Sequence, residues 1–211
     1  MLQKCLAIYK ERGILELCSR MIQKISCGWI STTHAVWYVK HLSDPSSETR
    51  VQTGIPVSVD FYSFADTLNW IKNLNESWML DDTERIIAED EKHYWVNIKT
   101  DQSIIGYLKI GLNRVYINDY ARILSFDQDV AYIYDTFVLP AYRNKNVASY
   151  MVREVCGFLQ TKGFSRVLCH IPVWNKASSK AYTKVGFKRV KAIRSIKVLG
   201  LHFVTSDPRY L

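Results

Sequence analysis

The stretch from Ala131 to Val152, AYIYDTFVLPAYRNKNVASYMV, constrains the fold more than any other. A nearly unbroken apolar strand stops at Pro140, a polar turn carries Arg143 and Lys145, and helical periodicity resumes at Asn146. The helix NVASYMVREVCGFLQTKG ends at Gly163, and a β-branched strand, RVLCHIPV (166–173), follows at once. Such a turn builds an anion site, because first-turn N–H groups lack intrahelical partners and the helix dipole adds positive potential. Asn144 and Asn146 tolerate positive φ, and Ala148 is small enough to let a phosphate approach the backbone. Read alone, the stretch is equally an ordinary basic strand–helix loop.

The flanking patterns fill in a domain. IPVSVDFYSF (55–64) alternates as a strand, and ADTLNWIKNLNESWML (65–80) is helical with Asp66 able to cap it. DDTERIIAEDEK (81–92) carries six acidic residues, a solvated helix face or an attractor for a cationic amine. HYWVNIKT (93–100) and SIIGYLKIGL (103–112) form a hairpin; ASSKAYTKVGF (177–187) is a short helix; two more strands lie within 187–206. The order predicts an α/β (α+β) domain around a single sheet. Residues 1–28 have helical periodicity, which predicts a helix packed on its own domain or a basic amphipathic helix on a membrane. With the polar stretch 41–54 as linker, the chain divides into a helical extension over 1–54 and a domain over 55–211.

Charge adds direction. Residues 131–211 hold 14 Lys and Arg against 3 Asp and Glu, whereas residues 1–130 hold 14 against 17. The basic half suits a nucleotide-like cofactor, nucleic acid or an acidic membrane surface, or is simply a solvated basic face. It lacks the exposed aromatics or recognition helix that nucleic-acid binding needs, so no such partner is expected. Five cysteines without a CxxC pair read as free thiols in a reducing, cytoplasmic setting. Scattered histidines give no metal-binding spacing, and no metal is expected. No apolar run is long enough to span a bilayer, and the N-terminus is too charged for a secretory leader.

Two motifs together carry a resemblance. Arg143-Asn144-Lys145-Asn146-Val147-Ala148 resembles the R/Q-x-x-G-x-G/A pyrophosphate signature of the GNAT superfamily of acyl-CoA-dependent N-acyltransferases, with Asn146 where glycine is usual. Downstream, Asn175, Ser178, Tyr182, Gly186 and Phe187 are similar to that family's N-x-x-[AS]-x-x-x-Y-x-x-x-G-F stretch. The resemblance covers about residues 55–206.

It implies a mixed, mostly antiparallel sheet flanked by helices, with acetyl-CoA as co-substrate and an amine as acceptor. Phe137 and Val138 would pair with the pantetheine arm, and the N–H groups of residues 143–148 would hold the diphosphate. Asn175 would reach the pantetheine or adenosine side, with Ser178 and Lys184 near the same arm. Tyr182 matches the general acid that protonates the departing thiolate, although the same spacing also suits a core tyrosine. Asp135 sits in an apolar strand, where an unpaired carboxylate would be costly and its pKa raised; it is a candidate base or a structural carboxylate. The implied reaction is acetyl transfer to a small-molecule amine or amino sugar. The rivals are a protein N-terminus or lysine as acceptor, or a non-catalytic acyl-CoA-binding module.

Overall fold

The computed structural model describes residue 18 and residues 30–43, 51–63, 92–101, 103–120, 122–199 and 201–204. The helices expected over 1–28 and 65–80, residue 18 aside, and the acidic run from Asp81 to Glu91 lie outside the described residues.

In chain order the strands are β1 (Ile30–His41), β2 (Ser58–Ser63), β3 (Lys92–Lys99), β4 (Ile104–Leu112), β5 (Arg114–Ile117), β6 (Arg122–Ser125) and β7 (Val130–Val138). Helix α1 (Val147–Thr161), β8 (Arg166–Pro172), α2 (Lys176–Lys184), β9 (Lys188–Val198) and β10 (Leu201–Val204) follow. Eight strands make one sheet in the order β10-β9-β1-β8-β7-β4-β3-β2, and β5 and β6 form a separate two-stranded hairpin. Every neighbouring pair in the large sheet is antiparallel except β7 and β8. Those two are parallel because α1 is the crossover between them. The mixed, mostly antiparallel sheet with helices against it is the fold expected from the sequence.

The expected boundary at residue 54 cuts through this sheet. β1, placed by the sequence in the extension, lies between β8 and β9, with Ala35 opposite Pro172 on one side and Ile193 on the other. Its middle is buried on both faces, Val36 and Tyr38 in one core and Trp37 in the other, so it lacks the alternation that marks a one-sided strand. Residues 51–54 are also docked. Val51 is buried, its carbonyl accepts from Arg153 Nη1 at 3.0 Å, and Gly54 N–H donates to the Lys145 carbonyl at 3.1 Å.

Each face of the sheet has its own core. Helix α1 buries Val147, Met151, Val152, Val155, Cys156 and Leu159, the i, i+4, i+5, i+8 pattern of a single apolar stripe, against Ile98, Ile110 and Ile133. On the opposite face the β5–β6 hairpin covers Trp37, Tyr132, Leu168 and Ile193 with Val115, Ile117 and Leu124. That hairpin was not expected from the sequence.

Candidate active site

β7 and β8 pair only from Val130 opposite Arg166 to Ile133 opposite Cys169. Beyond that point β7 continues along β4 alone, as far as Val138 opposite Gly106. The separation coincides with a bulge: Lys109 faces Asp135 and Ile110 faces Ile133, leaving Tyr134 as the extra residue. The strands part into a cleft of about 130 Å³ whose lining includes Asp135, Thr136, His170, Asn175, Ser178 and Tyr182.

Tyr182 closes the cleft from the helix side. The residue is 3% exposed, and its phenol oxygen lies 2.7 Å from Thr136 Oγ1, on the free length of β7. Burial pushes its pKa well above 10.0, with Cys169 adding to the effect and the Thr136 bond opposing it, so the phenol keeps its proton. The helix that carries it is fixed at both ends. Asn175 caps the start, its Oδ1 accepting from Ser178 N–H at 3.1 Å. At the other end Gly186 takes φ 92, its N–H bonds to the Thr183 carbonyl, and Phe187 N–H reaches back to the Tyr182 carbonyl at 3.2 Å. That is a Schellman stop, and the Phe187 ring completes it by packing edge-on against Tyr182 at 5.0 Å. The Asn, Ser, Gly and Phe of the downstream motif are therefore the caps of one short helix.

At the other end of β7, the turn before α1 has the geometry read from the sequence. Asn144 and Asn146 both adopt left-handed conformations, φ 63 and 60. Asn146 is the N-cap residue but makes no side-chain cap bond, so the first-turn N–H groups remain open to an anion. Its side chain serves the surroundings instead: Nδ2 donates to the Gln52 carbonyl at 3.3 Å, and Oδ1 accepts from Lys184 Nζ at 2.9 Å. Val147 is buried in the core, whereas Ala148 is half-buried beside it. Lys145 Nζ lies 5.4 Å from the centre of the Tyr142 ring. Arg143 turns back along β7, where Nε donates to the Val138 carbonyl at 3.0 Å and the guanidinium lies over Phe137.

Two expectations change. Leu139 N–H donates to the Ile105 carbonyl, and alternation along an antiparallel pair then directs the backbone of Phe137 toward β4. A Cβ on Gly106 would run into the Phe137 carbonyl. The backbone groups facing the cleft are those of Thr136 and Val138, and Phe137 offers its side chain, stacked on Tyr107. Asp135, in turn, is not an isolated carboxylate in an apolar strand. The bulge brings it to the cleft, where its side chain is 38% exposed and pairs with Lys109 Nζ at 3.5 Å. Lys109 is itself buried, its ammonium 4.7 Å from the Trp95 ring and 5.0 Å from Tyr107.

Sequence reasoning missed a third group. His170, on β8 at the mouth of the cleft, bonds through Nε2 to Asp119 Oδ2 at 2.9 Å and through Nδ1 to the Tyr132 hydroxyl. Trp37 stacks on His170 and Tyr132 and donates its indole N–H to the Tyr120 hydroxyl at 3.0 Å. Burial raises the Tyr132 phenol well above 10.0 and Tyr120 to about 12. These residues come from four separate parts of the chain, and no local spacing signals them. Among the described residues no group of three or more His, Cys, Asp or Glu is placed to hold a metal ion.

Residues 61–187 match the acetyltransferase (GNAT) family. The chain belongs to that family. GNAT enzymes bind acetyl-CoA and an acceptor substrate. A GNAT-family acetyltransferase from Colwellia psychrerythraea has a similar structure, with a TM-score of 0.51 and 13% identity over 80% of this chain and 57% of that one. A functionally unknown conserved protein from Staphylococcus epidermidis superposes with a TM-score of 0.50 and 11% identity, over 84% of this chain and 65% of that one. The chain thus spans less than two thirds of either structure's length, and at these identities the likeness is one of fold. No curated protein matches the sequence.

Proposed function

We propose that this chain transfers the acetyl group of acetyl-CoA to a primary amine of a small molecule or amino sugar by direct attack. The observation that carries the reading is the buried Tyr182 phenol, bonded to Thr136, at the point where β7 and β8 part. The pantetheine arm would lie between the separated strands and use the cleft-facing backbone of Thr136 and Val138. The diphosphate would meet the uncapped N-terminus of α1, with Lys184 and Lys145 near. Arg143 would release the Val138 carbonyl to join them. Asn175 and Ser178, on the cleft wall, would flank the arm.

In the reaction the amine nitrogen bonds to the thioester carbonyl carbon and the carbon–sulfur bond breaks. The departing thiolate takes the Tyr182 proton, and the Thr136 hydroxyl then donates to the phenolate. The proton lost by the amine passes to Asp135, directly or through water. A cytoplasmic setting is part of the proposal, supported by the free buried thiols of Cys156 and Cys169.

The test is thiol release from acetyl-CoA by the purified full chain against a panel of small amines, amino sugars and peptides. Amine-dependent release with an N-acetylated small-molecule product supports the reading. Acetylation confined to peptides replaces the acceptor class, and acetyl-CoA binding without turnover on any acceptor leaves a binding module instead.

A further inference from the structure

The β9–β10 hairpin carries a surface that acyl transfer does not use. Leu199, Leu201 and Phe203 are 66%, 65% and 58% exposed, and Ile196 is 42% exposed. Phe203 lies opposite Ile196 and Leu201 opposite Val198, so these side chains share one face of the hairpin. Leu199 occupies the turn at φ 51, a conformation that glycine or asparagine adopts at lower cost, so turn geometry does not account for a leucine there. Exposed leucine and phenylalanine grouped at one tip are a marker of an interaction surface.

The charge around this tip narrows the partner. Between Glu154 and Asp207 the chain has ten Lys and Arg and no carboxylate. Arg194 and Arg189 stand opposite His34 and Tyr38 of β1, on the same side of the sheet as Ile196, which faces Thr32. α2 packs on that side too, through Ser179 on the Tyr38 hydroxyl, and exposes Lys176 and Lys180. A second copy of the chain on this face would bring arginines against arginines. A nucleic acid would pair with the cations and stack on Phe203 but gain nothing from the two leucines. An anionic bilayer rewards both, with apolar side chains entering the interface and cations held at the headgroups. β1 begins at Ile30, which lies opposite Val198.

We propose that the β9–β10 hairpin is a docking surface for an anionic membrane, with Leu199, Leu201 and Phe203 inserted and Arg189 and Arg194 at the headgroups. The test is co-sedimentation of the full chain with vesicles of mixed phosphatidylcholine and phosphatidylglycerol, and with phosphatidylcholine alone. The wild type is expected to bind the anionic vesicles, less so as salt rises, and not the neutral ones. Combined Leu199→Ser, Leu201→Ser and Phe203→Ser should lower partitioning about tenfold or more with the thermal unfolding curve retained. Arg189→Gln with Arg194→Gln, which leaves the apolar tip intact, should weaken binding and flatten its salt dependence. Failure of the wild type to bind overturns the proposal. So does equal binding by the triple variant, which moves the contact elsewhere in the chain. A wild-type dimer in solution that the triple variant disperses assigns the face to a second copy. A melting temperature lowered by the triple variant, without vesicle binding by the wild type, assigns it to a segment of the chain itself.

Discussion

On the helix side of the β7–β8 cleft the functional groups come from two short runs of sequence, 143–148 and 175–187. On the hairpin side, Trp37, Asp119, Tyr132 and His170 converge from four separate segments, with Asp119 and His170 51 positions apart and Trp37 and Tyr120 83 apart. The first side is held by helix caps, whose chemistry is local and leaves a spacing in the chain. The second is held by ring stacking and by bonds between strands, which need no spacing at all. The two sides should therefore answer differently to substitution: the helix side through acetyl-CoA and turnover, the hairpin side through stability.

The largest expected effect sharpens the helix side. Tyr182→Phe keeps the packing against Phe187 but removes the proposed acid, so turnover should fall by about 10²–10⁴-fold in single-turnover assays while acetyl-CoA affinity is retained. Unaltered turnover would remove the phenol from the mechanism.

Alkaline unfolding comes next and probes both sides together. Cys156 is pushed from 9.0 to about 12 by burial, and Cys169, Tyr132 and Tyr182 are raised well above their ordinary values for the same first reason. The folded state then holds these protons more tightly than the unfolded chain. Their contribution to stability is complete below pH 9 and is lost as pH rises through the folded values, by about 1.4 kcal/mol per pH unit for each group. Urea midpoints should be flat to about pH 9 and fall steeply above pH 10. A midpoint that stays level to pH 11 would contradict this.

Breaking the hairpin side gives a smaller, different signature. His170→Ala leaves the Tyr132 hydroxyl without its partner and opens space beside Trp37, so stability should fall by about 1–3 kcal/mol in denaturant titrations. Acetyl-CoA affinity should not move. If it falls in step with activity, the two sides are not separable and the comparison fails.

The smallest effect is at Asn146. Its φ of 60 costs a β-branched residue about 1–2 kcal/mol, so Asn146→Val should lower the melting temperature. Asn146→Gly keeps the turn and should bind acetyl-CoA nearly as the wild type does, losing the side-chain contacts to Lys184 and the Gln52 carbonyl.

The same contrast explains what was legible in the sequence. Strand–turn–helix at 131–161 and the capped helix at 176–184 were readable because turn residues, caps and a single apolar stripe are local. β1 was not, because a strand buried on both faces shows no alternation and follows a helical pattern. The cleft-facing Thr136 was passed over for Phe137 because backbone direction depends on register with β4, which no single strand reveals. Asp135 was found, but its Lys109 partner lies on another strand. His170 and Asp119 left no local trace, and only the folded sheet joins them.

The most direct measurement is calorimetric titration of the full chain with acetyl-CoA at low and high salt. One-to-one binding that weakens as salt rises, with a melting temperature raised by mass action, is the predicted result, because the diphosphate site proposed at the α1 N-terminus and its lysines acts in part through charge. No heat of binding, together with an unchanged melting curve at saturating acetyl-CoA, would contradict the account.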